Sequence, residues 1–133
     1  MVHRKKIRAL IIEQVRDVIE PIERTLKEKS FTVTTLANKD EALGLLKKNH
    51  HQLALVGEAK GGSSAFEVMR KIVMTSPMTS IILISDLSKE EVDEKAEGYG
   101  ILGHITRSVP SEDLALLLEQ FERIAQSIHP PKT

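Results

Sequence analysis

The chain has 133 residues, with 19 Lys+Arg, 19 Asp+Glu and no cysteine. That length suits one domain burying about two-thirds of its unfolded surface, and 41% hydrophobic with 29% charged residues is a soluble globular composition. A net charge of zero gives no reason to expect a nucleic-acid or membrane surface, and the lack of cysteine excludes disulfides, thiolate metal sites and a thiol nucleophile.

The N-terminus, MVHRKKIRALII, has a basic start, but its apolar stretch is too short for a signal h-region and runs straight into Glu13. A cytoplasmic protein is therefore expected. Ile7–Ile12 reads as a buried strand. Pro21 is tolerable only near a helix start, which predicts a first helix from around 18–20 to about Lys29. "FTVTTL" (31–36) alternates and is β-branched, as a strand with one less buried face would be. Asn38 with Glu41 has the spacing of an N-cap and its reciprocating carboxylate, as do Ser64 with Glu67 and Ser88 with Glu91. His50 and His51 are adjacent, so they do not share a helix face as metal ligands would, and read as a solvated loop. Leu53–Val56, Ile81–Ile84 and Ile101–Ile105 complete a set of five strands. Pro110-Ser111-Glu112-Asp113 is a proline- and acid-rich first turn for a last helix. That helix carries Leu114, Leu117, Leu118, Phe121, Ile124, Ala125 and Ile128 on one face. Residues 1–128 thus form one domain, and 129–133 ("HPPKT" from His129) read as a tail or the start of a linker.

Four of the strands are continuously apolar or nearly so, as parallel strands covered on both faces are. Alternation with helices gives an α/β fold: a five-stranded parallel sheet with helices on both faces and right-handed crossovers. In such a sheet the chemistry sits at the carboxyl ends of the strands. Those ends are Glu13-Gln14, Gly57-Glu58, Ser85-Asp86 and Thr106-Arg107.

"DEALGLLKKNHHQLALVG" (40–57), "SIILIS" (80–85) and "GILGHITRSV" (100–109), with the spacing between them, resemble the receiver domain of two-component response regulators. The resemblance implies the (βα)5 flavodoxin-like receiver fold over roughly residues 6–126. It also implies a phosphoryl-accepting Asp at the end of the third strand, where this chain has Gly57. The family's acidic pair falls on Glu13 and Gln14, its Ser/Thr on Ser85, its Lys on Arg107 and its switch aromatic on His104. Ser108 stands for the Pro after the Lys, and Lys60-Gly61 for a Met-Pro. An acyl phosphate needs a carboxylate nucleophile and Mg²⁺ to offset charge, so the Mg²⁺ site is expected to be lost and no cofactor is expected. Arg107 is expected to lie across the vacant space and pair with Glu13 or Glu58.

The expected function is that of a pseudo-receiver: a signalling module, not an enzyme, acting by protein–protein interaction in a two-component or phosphorelay pathway. Two alternatives stay open. One is a divergent receiver phosphorylated at Asp86 or Glu58. The other is an anion- or nucleotide-binding domain using the Gly57–Ser64 loop, which has Ser63 where a P-loop needs Lys. Blander readings stand beside these. Gly57 also suits a tight turn, Ser85 a loop-capping hydroxyl, His104 a partly exposed strand residue, and an Arg107–Glu pair an ordinary surface salt bridge. Expected partners are other signalling proteins, or a second copy, through the face of the fourth helix, fifth strand and fifth helix that the family uses. On that face Leu116 and Arg123 lie opposite the core stripe. Neither nucleic acid nor membrane is expected as a partner.

Overall fold

A computed structural model describes residues 7–108 and 110–128, with the side chains of 110, 111 and 125–128 left aside. The strands are β1 (Arg8–Ile12), β2 (Thr32–Leu36), β3 (Leu53–Val56), β4 (Ser80–Ile84) and β5 (Gly103–Ile105). Between and after them come α1 (Arg16–Glu28), α2 (Lys39–Lys48), α3 (Ala65–Thr75), α4 (Lys89–Lys95) and α5 (Pro110–Ile128). The sheet is parallel throughout, in the order β2-β1-β3-β4-β5. Reversal of strand order between β1 and β3 opens a crevice at their carboxyl ends, where α/β sheets bind their ligands.

The apolar runs are continuous because each face of the sheet is covered. Ala9, Ile11, Leu53, Leu55, Ile82 and Ile84 pack against α1 and α5. Leu10, Ile12, Ala54, Val56, Ile81 and Leu83 pack against α2, α3 and α4. β2 is an edge strand and only half buried, as its alternating sequence predicts.

Several boundaries differ from expectation. α1 starts at Arg16 rather than at 18–20 and closes at Glu28, so Pro21 lies at its sixth position. The ring there removes an N–H that would bond to the Asp17 carbonyl. Burial of Val18, Ile19, Ile22 and Leu26 is what holds the extra turn. β5 is shorter than Ile101–Ile105, beginning at Gly103. Asn38, Ser64 and Ser88 all cap their helices, but only Ser88 and Glu91 complete the reciprocal pair. His50 is exposed as expected. His51, however, is 4% exposed, its Nδ1 bonded to the Asn49 carbonyl and its own carbonyl accepting from Thr79. On α5, Leu114, Leu118 and Phe121 are buried, while Ile124, expected in the core, is 46% exposed. The expected core positions Ala125 and Ile128, and the proposed tail, lie outside the described side chains or residues.

Candidate functional site

Register brings the site together. Ile12 of β1 pairs with Val56 of β3, so the next residues, Glu13 and Gly57, emerge side by side at the carboxyl edge. The ladder runs on past the strands: the Gly57 N–H donates to the Ile12 carbonyl (2.8 Å) and the Gln14 N–H to the Glu58 carbonyl (3.1 Å). On the other side, Ser85 N–H donates to Ile105 (2.9 Å), which brings the ends of β4 and β5 together.

Glu13 is fully buried, the one carboxylate among the described residues that is. Both its oxygens are saturated. Oε1 accepts from the Glu58 N–H (3.0 Å) and Arg107 Nη1 (2.5 Å). Oε2 accepts from the Gln14 N–H (3.0 Å), the Val15 N–H (2.9 Å) and Arg107 Nη2 (3.0 Å). The Arg107 guanidinium is thus a two-pronged fork on the carboxylate, with its side chain only 16% exposed. Its Nη2 also lies 3.8 Å from Glu58 Oε2, and the Arg107 backbone N–H donates to Asp86 Oδ1 (2.7 Å).

Burial pushes the Glu13 carboxyl up, as loss of water does to any buried acid. The Arg107 hydrogen bond, the Val15 and Glu58 N–H donors and the Arg107 charge outweigh it and hold the group below the usual carboxylate range. The expectation that Arg107 reaches Glu13 or Glu58 is met at both, with Glu13 the close partner. The blander alternative of a surface salt bridge is wrong, because one partner has no solvent contact.

Gly57 is not in the left-handed backbone region, unlike Gly61 and Gly62 in the loop that follows. A turn conformation does not require a glycine at 57; space does. A Cβ there would lie 2.0 Å from Glu13 Oε1 and 3.3 Å from Arg107 Nη1. The carboxylate therefore fills the volume that any side chain at 57 would enter.

Ser85 Oγ accepts from the Leu87 N–H (3.1 Å), the loop-capping role, and its side chain also borders an open cleft of about 640 Å³. Gln14, Glu58, Ser64, Asp86 and Arg107 line the same cleft. Glu58 and Asp86 are exposed, and Ser64 is already engaged as the N-cap of α3. His104 is half buried on β5 and borders a second groove, of about 400 Å³, with Lys89, Asp93, Leu117 and Gln120. Leu116 (65% exposed) and Arg123 stand on the outer side of α5, away from the carboxyl-edge cluster.

The Mg²⁺ that the resemblance implies does not fit these residues. Both Glu13 oxygens are already engaged, Gln14 offers an amide where a second carboxylate is needed, and a cation already sits against the site. What sequence reasoning missed is the role of backbone amides, which supply three of the five bonds to Glu13, and of Asp86 as the acceptor that fixes Arg107. Neither has a residue-type signature.

Among the described residues no helix is long and apolar enough to cross a membrane. Residues 9–119 match the family profile of the response regulator receiver domain. The chain is 26% identical over 108 residues to the cell cycle response regulator CtrA of Brucella ovis and of Brucella abortus. Those matches cover 81% of this chain and 47% of each relative, so the chain spans about half the length of the curated relatives it matches. Among solved structures, the signal receiver domain of an HD domain-containing protein from Pseudomonas fluorescens Pf-5 superposes with TM-score 0.80 at 16% identity, over 99% of this chain and 98% of that one. A CheY-like response regulator receiver domain protein from Methanospirillum hungatei gives 0.77 at 18% identity, over 92% and 99%. The sheet order, the carboxyl-edge site and the match over residues 9–119 agree, and the chain belongs to the response regulator receiver domain family.

Proposed function

We propose that this receiver domain of two-component signalling works without a phosphoryl group at position 57, as a module that communicates by protein–protein contact. The observation that carries this reading is the occupancy of the strand end. Gly57 offers no nucleophile, and the Glu13 carboxylate fills the volume a nucleophile would need. An acyl phosphate requires both a free carboxylate and charge compensation by a metal. The test is intact-mass measurement after treatment with acetyl phosphate or phosphoramidate and Mg²⁺. No adduct is expected. A stoichiometric phosphate adduct, acid-labile or acid-stable, overturns the reading, and peptide mapping would then ask whether Asp86 or Glu58 carries it.

The contact surface is the α4–β5–α5 face. Leu116 and Ile124 are both exposed there, and Leu117, Val92, Ile101 and Leu102 border the adjacent groove. A single exposed Leu is ordinary, but two on one helix beside an apolar-lined groove make a contact patch. With no phosphoryl group to gate it, the face is used constitutively, by other signalling proteins or a second copy. Leu116→Glu should weaken self-association in sedimentation or partner capture in pull-down while leaving the fold intact. A folded variant with both unchanged removes this face from consideration.

A further inference from the structure

One residue ties together the ends of four of the five strands at the carboxyl edge of the sheet. Arg107 leaves the end of β5, grips Glu13 after β1, approaches Glu58 after β3 at 3.8 Å, and is fixed through its backbone N–H to Asp86 after β4. Three carboxylates around one guanidinium leave the cluster net negative even when Arg107 is in place. A carboxylate as buried as Glu13 is costly without an opposing charge, and the planar fork of an arginine satisfies both its oxygens at once. Gly57 makes the approach possible, because a Cβ would meet both halves of the pair.

We propose that Arg107 is the resident cation of this site. Tethered to the chain at the end of β5, its guanidinium fastens the loops after β1 and β3 as a bound divalent cation would, and it takes up the carboxylate lone pairs that such a cation would need. The proposal rests on the reading of position 57 as unable to take a phosphoryl group, and deepens it by naming what replaced the metal. It follows that removing the guanidinium alone, with no ligand added, uncovers a site for a hard divalent cation. Glu13 Oε1, left with one N–H donor, would supply a carboxylate oxygen with Glu58 beside it, the oxygen chemistry that such ions select.

The experiment is a Mn²⁺ titration of ¹⁵N-labelled full chain, read as paramagnetic broadening of backbone amides. In the wild type no selective broadening around residues 13, 57, 58 and 86 is expected at millimolar Mn²⁺. In Arg107→Ala, saturable broadening centred there should appear, with affinity higher than wild type by roughly tenfold or more. Arg107→Ala with Glu13→Gln should lose it again. Selective binding by the wild type, or none by a folded Arg107→Ala, overturns the proposal. Should Arg107→Ala be unfolded alone, Mg²⁺ is expected to restore its circular dichroism where KCl of matched ionic strength does not, and failure to do so also overturns it. The mass measurement on the wild type tests the parent reading separately. A phosphorylated wild type that excludes Mn²⁺ sinks that reading alone, and an unphosphorylated one that binds Mn²⁺ sinks this proposal alone.

Discussion

Gly57→Ala is the smallest perturbation that probes the site. Elsewhere a buried glycine outside the left-handed region is a candidate for stabilisation, since alanine narrows the unfolded ensemble by about 0.4–1 kcal/mol. Here the added methyl would begin 2.0 Å from Glu13 Oε1. That oxygen must retreat by about 1 Å or more to reach an ordinary contact. It is the far end of a flexible side chain, but two hydrogen bonds pin it and three more hold the other oxygen of the same carboxylate. The retreat loosens the bonds that the charged carboxylate accepts from the Glu58 N–H and from Arg107 Nη1, each worth about 1.5–3 kcal/mol, while Oε2 keeps its own three. Overpacking adds about 1–3 kcal/mol. Allowing for partial relaxation and for the entropic gain, the net is a loss of about 2–4 kcal/mol. Urea unfolding followed by circular dichroism should show the midpoint falling by about 1–2 M for a slope near 2 kcal/mol/M. In a Glu13→Ala background the same change should become neutral or stabilising, because nothing is left to collide with. A Gly57→Ala protein as stable as wild type, or a loss that persists without Glu13, would refute the account of why position 57 is glycine. Gly57→Asp meets the same carboxylate with like charge, and should be poorly phosphorylated in assays with small phosphodonors and Mg²⁺.

Two further predictions concern stability. The Glu13 carboxyl is held below its unfolded value near 4.5, so the folded protein binds fewer protons there than the unfolded chain. Its contribution is complete above pH 4.5 and is lost as pH falls through the lower folded value; urea midpoints from pH 7 to 3 should fall less steeply in Glu13→Gln than in wild type. Pro21→Ala restores the missing N–H at the sixth position of α1 and should stabilise by about 1–3 kcal/mol in thermal or urea unfolding, and a neutral result would mean that the helix start has adjusted to the proline.

The fold was legible in the amino-acid pattern. Runs of apolar residues too continuous for a one-sided sheet, spaced by amphipathic helices with Asn38, Ser64 and Ser88 at their starts, allow few arrangements other than a covered parallel sheet. It also placed Glu13, Gly57, Ser85 and Arg107 at one edge, because a parallel sheet gathers all its strand ends there. Which of those residues meet was settled only by the packing of the whole chain. Whether Arg107 met Glu13 or Glu58, and on the surface or inside, depends on where residues 94 positions apart in the chain come to rest. Local patterning carries no information at that range. The start of α1 was likewise settled by burial of Val18 and Ile19 overriding Pro21, and Ile124, which the helical period puts on the core stripe, is 46% exposed. Hydrophobic period fixes which face of an element turns inward, but only packing fixes how much core there is for it to meet, and whether a charge carried inward finds its partner.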